Sequence, residues 1–295
     1  MPVDDFTLSL RFRIGLGFRM GQVSRSQVLL LDAFGTLLFP TQPIAQTYHQ
    51  AAINHGLSLS QADIELRFPN AFQRWFRHWR TKIPTDRMSP DWLQAWSHDP
   101  QATVARWNRT PANQELCRAL EGWGDISEAD RWKSLIAEVM ACPERTPEKV
   151  EQIFAELWEC FQSAETWKLC SGFQTLRQAF AGTPLQICLA SNFDARLHNI
   201  VKHFPELDSL HQTFISSELG TCKPSPEFYR RLLNRQQVHA EETIMVGDSW
   251  YEDVLVPQSL GMRCYWVQPE TQWQQHPQVV ANLQELADQL AESLR

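Results

Sequence analysis

The sequence predicts a doubly wound α/β fold, with a mostly parallel sheet as its core and an all-helical domain inserted into it. Three short apolar runs support this prediction: Val28 to Leu31, Leu185 to Ala190 and Thr243 to Val246. Runs of this kind are typical of strands that are buried on both faces, as in parallel sheets. Helical patterns separate the runs, and this alternation of strand and helix favours a doubly wound core.

The first run ends in Asp32, which the turn residues Gly35 and Thr36 closely follow. Open α/β sheets bind their ligands at the carboxyl ends of their strands. A carboxylate at this place can therefore be a nucleophile, a metal ligand or both. It can also simply cap a turn, and this segment alone leaves both interpretations open.

The long insertion after the first strand has helical character. A proline suited to a first helical turn, Pro43, is followed by Gly56 as a stop signal. Further on, four aromatic residues recur at helical spacing: Phe72, Trp75, Phe76 and Trp79. Two more helices are expected, at Glu128 to Met140 and at Pro147 to Phe161. The aromatic stripe predicts the buried face of a helical domain rather than a ligand site.

Polar residues stand at the ends of the later strands as well. Ser191 and Asn192 follow the second strand, Asp248 follows the third, and Lys223 lies in a Pro-rich loop between them. Because the carboxyl ends of parallel strands meet at one edge of a sheet, we expect these side chains to surround Asp32. A solvated loop lysine is the alternative for Lys223, but its position between two of these strands favours a place in the site.

Capping signals mark the remaining elements of the core. Asp194 is a candidate N-cap for a helix that begins at Ala195. Ser225 and Pro226 form a cap followed by a first-turn proline. The last elements are expected in this order: a helix from Tyr251 to Leu260 that ends at Gly261, a strand from Arg263 to Val267, and a short strand followed by a helix within His276 to Arg295.

These patterns divide the chain into a discontinuous α/β core and a helical cap. We expect the core at residues 27–42 and 166–295, the cap at residues 43–165 and an N-terminal extension at residues 1–26. Every even position from Leu8 to Met20 is apolar. Such alternation is typical of a half-buried strand, but we favour an extension outside the folded core.

Four short motifs occur in order along the predicted core. They are Asp32-Ala33-Phe34-Gly35-Thr36, Ser191-Asn192, Lys223-Pro224, and Gly247-Asp248-Ser249 with Glu252-Asp253. In this series the sequence resembles the haloacid dehalogenase-like hydrolases, of the branch with a helical cap inserted after the first motif. The resemblance implies a Rossmann-like core, and the cap matches in position and helical character only.

The resemblance implies a Mg²⁺-dependent, phosphatase-like hydrolase that acts on a small phosphorylated metabolite through an aspartyl-phosphate intermediate. A carboxylate nucleophile divides one difficult displacement into two easier ones, and Mg²⁺ prefers oxygen ligands. Asp32 would be the nucleophile and a metal ligand. Asp248 and the backbone carbonyl of Phe34 would be further ligands, and Asp253 would support the metal or orient Lys223.

The phosphate would be held by Lys223 and Ser191. Asn192 and Thr36 are further candidates for substrate binding, and Thr36 could instead orient the loop of the nucleophile. A fixed cation such as Lys223 stabilises the charge that develops on the transferred group. Asp32, Lys223 and Ser191 are therefore the expected catalytic residues.

Phe34 departs from the pattern of this family. Most phosphatases of this kind carry a second aspartate there, which protonates the leaving alkoxide. Losing such an acid typically costs ~10²–10⁴ in rate, so we expect weakened acid–base catalysis. Two alternatives follow: a catalytically impaired phosphate-binding protein, or a 2-haloacid dehalogenase, whose relatives carry an aromatic residue there. The acidic Asp248 argues against the dehalogenase, since those relatives work without metal.

Composition agrees with a hydrolase of this kind. The chain has 295 residues and a formal net charge of −7, which argues against general nucleic-acid binding because phosphates attract basic surfaces. Its 7 cysteines form no C-x-x-C pair, which favours reduced thiols in a cytoplasmic protein. No apolar run approaches the ~20 residues that span a bilayer, so no membrane partner is expected. The sequence makes no prediction of oligomeric state.

Overall fold

The core is a six-stranded parallel sheet in the order β5-β4-β1-β6-β7-β8. The computed structural model describes residues 28–76, 95–96, 98–99, 102–103, 105–106, 125–141, 147–269 and 276–292. The strands, including a separate pair β2 and β3, are β1 Val28–Leu31, β2 Leu38–Pro40, β3 Trp167–Leu169, β4 Gln186–Ser191, β5 Gln212–Ile215, β6 Thr243–Gly247, β7 Arg263–Val267 and β8 Val279–Val280.

Helices connect the strands of the sheet and also form the insertion. They are α1 Ile44–Asn54, α2 Gln61–Phe76, α3 Asp125–Val139, α4 Pro147–Gln162, α5 Gly172–Ala179, α6 Arg196–Lys202, α7 Ser216–Leu219, α8 Pro226–Gln236, α9 Val256–Ser259 and α10 Leu283–Glu292. No helix in the described part of the chain is both long enough and apolar enough to cross a membrane.

The central strand β1 is buried on both faces, as its apolar run predicts. Val28 and Leu30 pack in one hydrophobic cluster with residues of α8, whereas Leu29 and Leu31 pack in a second cluster with residues of α5, α6 and α10. All four side chains are fully buried. Successive strand residues point to opposite faces, so the two clusters place helices on both sides of the sheet. The predicted doubly wound fold is confirmed.

A short antiparallel ladder joins the core to the insertion. Strands β2 and β3 pair so that Leu38 faces Leu169 and Pro40 faces Trp167. The Thr41 N–H also donates to the Thr166 carbonyl at 2.8 Å. The chain therefore leaves the core and returns to it through two hydrogen-bonded segments that lie side by side.

The helices of the insertion have a hydrophobic cluster of their own. Residues of α1, α2, α3 and α4 form it, among them Tyr48, Ile64, Leu135 and Ile153. Gly56 follows α1 with a φ of +68°, a conformation that glycine adopts without strain, as its predicted role as a stop requires. Of the predicted aromatic stripe, Trp79 lies outside the described residues, as does the N-terminal extension.

Trp96 comes from the middle of the insertion but packs against the α/β core. Its side chain is fully buried in the same cluster as Val28. The indole stacks on His276 with ring centroids 4.1 Å apart, and its Nε1 donates to Gln258 at 2.7 Å. This part of the insertion is thus attached directly to the sheet domain.

The helix predicted from Tyr251 to Leu260 is present, but it begins with unusual winding. Residues Trp250–Leu255 form a π-helix, and α9 follows it. Gly261 then has a φ of +99°. π-Helical turns are rare and occur frequently at functional sites. Here the π-helix carries Glu252 and Asp253, both of which are buried.

Candidate active site

The predicted site residues converge at one edge of the sheet. Asp32 directly follows β1, Ser191 ends β4, and Asp248 directly follows β6. These strands are neighbours in the order β4-β1-β6. The Asp32 N–H donates to the Val246 carbonyl at 2.9 Å, so the ladder between β1 and β6 continues into the site.

Lys223 lies at the centre of this edge as a buried cation between two carboxylates. Its Nζ donates to Asp32 Oδ1 at 2.8 Å and to Asp253 Oδ1 at 2.6 Å. The lysine is only 1% exposed and Asp253 is fully buried. Burial alone would lower the pKa of Lys223, but the carboxylates of Asp253, Asp32 and Glu252 raise it above its usual range. The ammonium group is therefore charged at neutral pH.

Asp248 reaches the loop that follows Asp32 because that loop contains Gly35. A Cβ at Gly35 would lie 2.7 Å from Asp248 Oδ2, closer than non-bonded atoms approach. Gly35 also has a φ of +89°, which disfavours any side chain. On the same loop, Thr36 Oγ1 lies 3.5 Å from Asp248 Oδ1, at the limit of a hydrogen bond.

Three carboxylates are close enough to share a divalent cation. Asp32, Asp248 and Asp253 each offer an oxygen, and these oxygens lie within 4.8 Å of one another. Mg²⁺ typically binds through one or two carboxylates together with water and substrate oxygens. The donor set therefore fits Mg²⁺. The predicted contribution of the Phe34 carbonyl stays a prediction.

Both oxygens of Asp253 accept protein hydrogen bonds. Oδ1 accepts from Lys223, and Oδ2 accepts from the Ser249 N–H at 3.1 Å. A Cβ at Gly247 would lie 2.2 Å from the Asp253 carboxyl carbon, so the bare glycine makes room for this group. Of the two roles expected for Asp253, the contact with Lys223 is present, and support of a metal stays a prediction.

The Asn192 amide holds the Lys223 loop against the end of β4. Its Oδ1 accepts from the Lys223 N–H at 2.7 Å, and its Nδ2 donates to the Lys223 carbonyl at 2.8 Å and to Glu252 Oε2 at 3.2 Å. Ser191 and Asn192 both line the cavity described below. Their assignment to phosphate binding stays a prediction. No role was expected for Glu252.

A buried ion pair between Asp194 and Arg196 was also missed by sequence reasoning. Asp194 Oδ1 accepts from the Arg196 N–H at 3.1 Å, but α6 begins at Arg196 with Ala195 as its N-cap, one residue later than predicted. The same carboxylate also binds the guanidinium in a two-pronged arrangement at 2.8 and 2.6 Å. That guanidinium lies 3.7 Å above the ring of Trp158 on α4. A lone arginine near a helix start carries no signal for such a contact.

A cavity of about 420 Å³ opens beside the carboxylates, between the core and the insertion. Asp32, Asp248 and Ser191 line one end of it. One side consists of aromatic rings, here called the aromatic wall, in which each ring contacts the next: Phe34, Trp167, Phe161, Tyr48, Phe68 and Phe72. The centroid separations along this series run from 5.1 to 6.2 Å, within the usual range for aromatic pairs.

Comparison with known families agrees with this geometry. A family model described as haloacid dehalogenase-like hydrolase matches residues 27–261, a range that includes all four motifs and the insertion. The chain is a haloacid dehalogenase-like hydrolase. The match confirms the family predicted from the motifs, and with it a hydrolytic enzyme.

Curated relatives of this hydrolase include a phosphatase. Haloacid dehalogenase-like hydrolase domain-containing protein 3 of Danio rerio is 24% identical over 238 residues, which are 80% of this chain and 83% of that protein. Phosphoserine phosphatase of Thermus thermophilus is 28% identical over 187 residues, 60% of this chain and 67% of that protein. This haloacid dehalogenase-like hydrolase thus has phosphatase-like relatives.

A solved structure extends the comparison to the fold. The 2-haloacid dehalogenase of Pseudomonas syringae aligns with a TM-score of 0.51 at 15% identity, covering 90% of this hydrolase and 99% of that chain. At this identity the likeness concerns the fold alone. The choice between phosphatase and dehalogenase chemistry therefore rests on the residues of the site.

Proposed function

We propose that this hydrolase is a Mg²⁺-dependent phosphatase that acts on a small phosphorylated metabolite through an aspartyl-phosphate intermediate. The observation that carries the proposal is the acidic group of Asp32, Asp248 and Asp253, whose oxygens lie within 4.8 Å of one another. The Lys223 ammonium lies 2.8 Å from Asp32 and 2.6 Å from Asp253. A nucleophilic carboxylate that attacks an anionic phosphate needs fixed positive charge beside it. A metal-free dehalogenase has no evident use for this acidic group.

Each residue has a separate task in the proposed reaction. The Asp32 oxygen that does not accept from Lys223 attacks phosphorus, and the bond to the leaving group breaks as that group departs with the electron pair. Lys223 and Ser191 hold the phosphate oxygens, assisted by Asn192 and Thr36. Water then cleaves the acyl phosphate, which releases inorganic phosphate and restores the Asp32 carboxylate.

Asp32, Asp248 and the Phe34 carbonyl would hold Mg²⁺. Asp253 would support the site by fixing Lys223. When bound, the ion supplies positive charge that lets the Asp32 carboxylate approach a phosphate dianion. The exposed carboxylate of Asp248, which lines the cavity, is accessible for such binding.

Phe34 weakens the acid–base part of this mechanism. Its side chain lines the cavity and packs edge-on against Trp167 at 5.5 Å. A phenyl ring can neither protonate a leaving group nor deprotonate water. This observation favours a second candidate function, a phosphate-binding protein without turnover, which the experiment below separates from the first.

The wider assignments extend the same proposal. The core would comprise residues 27–42 and 166–295, and the cap residues 43–165. A cytoplasmic location agrees with the buried free thiols of Cys188, Cys222 and Cys264, because unpaired buried cysteines persist in reducing compartments. The partner would be a small phosphorylated molecule, with neither nucleic acid nor membrane as a partner.

Acetyl phosphate tests the proposal because its acetate leaving group departs without a proton. Phosphate release is measured with Mg²⁺ or with chelator, for the wild type, Asp32→Asn and the exposed control Asp208→Asn. We expect Mg²⁺-dependent release and a ³²P-labelled enzyme, both lost in Asp32→Asn and retained in Asp208→Asn. Phosphate binding without turnover would establish the second candidate. Halide release from 2-haloacids in chelator would support a dehalogenase instead.

A further inference from the structure

The cavity is larger than a phosphate group requires. Its volume of about 420 Å³ lies within the range of ~300–1,000 Å³ for pockets that enclose whole organic ligands. The carboxylates occupy one end, and the aromatic wall extends from there to α2. The rings begin at Phe34, two residues after Asp32, so the wall starts beside the reacting phosphate. A substrate whose phosphate lies at Asp32 therefore places its organic part against these rings.

The charges around the cavity disfavour a second anionic group on the substrate. Of the described residues that line it, Glu128, Asp194 and Glu252 are acidic in addition to Asp32 and Asp248 of the proposed metal site. The guanidinium of Arg196 also lines the cavity, but both oxygens of Asp194 already hold it. Burial raises the pKa of the Cys222 thiol, another lining group, and Glu252 and Glu128 raise it further, against the opposite effect of Arg131 and Lys223. A substrate carboxylate would meet like charge here.

Phe34 sets a requirement on the leaving group. Without a proton from this position, the oxygen that leaves phosphorus departs as an anion, so its basicity limits the rate. A phenol ionises near pH 10, as the tyrosine side chain does, whereas water ionises near 15.7. A phenolate therefore departs far more readily than an aliphatic alkoxide. Its flat ring also suits stacking or edge contacts with aromatic side chains.

From the aromatic wall and Phe34 together we infer that the substrates are aryl monophosphates, in which a phenolic oxygen carries the phosphate and the ring bears no carboxylate. This inference rests on the proposed function and specifies its substrate class. In the reaction an Asp32 oxygen bonds to phosphorus while the bond from phosphorus to the phenolic oxygen breaks. The phenolate leaves with the electron pair and takes its proton from water.

Phenyl phosphate and benzyl phosphate form a matched pair of substrates for the test. Both carry one benzene ring, but benzyl phosphate releases an aliphatic alkoxide. With Mg²⁺ and the full-length protein, we expect kcat/KM for phenyl phosphate to exceed that for benzyl phosphate by at least ~10²-fold, the lower end of general-acid contributions. Substituted phenyl phosphates should react faster as the phenol becomes more acidic. Phosphoglycolate, which adds a carboxylate, should be a poor substrate.

Two substitutions separate the leaving-group requirement from the aromatic wall. Phe34→Asp restores a carboxyl group and should raise kcat/KM for benzyl phosphate at least about tenfold, narrowing its gap to phenyl phosphate. Phe68→Ala removes one ring of the wall and should raise KM for phenyl phosphate about three- to tenfold. Leu66→Ala, on the same helix and 73% exposed, serves as the control and should leave KM unchanged.

The outcomes distinguish failure of this inference from failure of the proposed function. If acetyl phosphate labels Asp32 but phosphoglycolate or benzyl phosphate matches phenyl phosphate, the substrate class is wrong and the phosphatase remains. A rate independent of phenol acidity would also overturn the inference, because another group would then supply the proton. If acetyl phosphate is not hydrolysed at all, the proposed function and this inference both fall.

Discussion

Replacing Lys223 by methionine should strongly destabilise the core, because two buried carboxylates would lose their shared cation. Lys223 is 1% exposed, and its Nζ contacts Asp32 at 2.8 Å and Asp253 at 2.6 Å. Removing one partner of a buried ion pair typically costs ~3–5 kcal/mol, because it leaves an uncompensated buried charge. We expect Lys223→Met to lower the free energy of unfolding by about this amount.

Urea unfolding followed by circular dichroism, in chelator, measures this loss. The double variant Lys223→Met, Asp253→Asn should be more stable than Lys223→Met alone, since the amide removes one of the stranded charges. Lys202→Met, at an exposed lysine of α6, should change stability by less than ~0.5 kcal/mol. The reasoning would be refuted if Lys223→Met cost no more than Lys202→Met, or if adding Asp253→Asn destabilised the protein further.

Three further variants test other parts of the structure. Gly247→Ala would place a methyl group 2.2 Å from the Asp253 carboxyl carbon and should cost ~1–3 kcal/mol of stability, the usual range for overpacking; no change in the urea midpoint would contradict the close approach. Trp96→Ala should cost ~3–5 kcal/mol in the same assay if its buried indole is part of the core. Burial lowers the pKa of His276 to about 4. Between pH 6.5 and 4 this imidazole is therefore protonated in the unfolded chain but neutral in the folded one, so stability should fall as the pH drops from 6.5 towards 4. At about 1.4 kcal/mol per pH unit the loss is at most ~3.5 kcal/mol, which partial exposure reduces to roughly 1–2 kcal/mol; His276→Gln should flatten this slope, and an unchanged slope would assign it to other groups.

The central strands could be predicted from sequence because burial on both faces leaves an uninterrupted apolar run. Val28–Leu31 shows this signal clearly. Gln212–Ile215 does not, since β5 lies at the edge of the sheet and only part of it is buried. The ladder between β2 and β3 was also missed. Its strands have three residues each, and their pairing joins segments that are distant in sequence.

The convergence of the candidate site residues could be predicted where the topology brings strand ends together. Asp32 and Asp248 could be paired from sequence because parallel strands end at one edge of a sheet. The contact between Arg196 and Trp158 could not be found in this way, because it depends on how α4 lies over α6. The docking of Trp96 on the sheet domain was hidden for the same reason. A single tryptophan within a predicted helical cap does not indicate which hydrophobic core it joins.

Calorimetric titration with Mg²⁺ tests the central claim, that Asp32 and Asp248 hold one divalent cation beside the nucleophile. The wild type should bind one Mg²⁺ per chain. Asp32→Asn and Asp248→Asn should each weaken binding at least about tenfold, whereas the exposed control Asp208→Asn should bind like the wild type. The claim would be contradicted if Asp32→Asn or Asp248→Asn bound Mg²⁺ as tightly as the wild type.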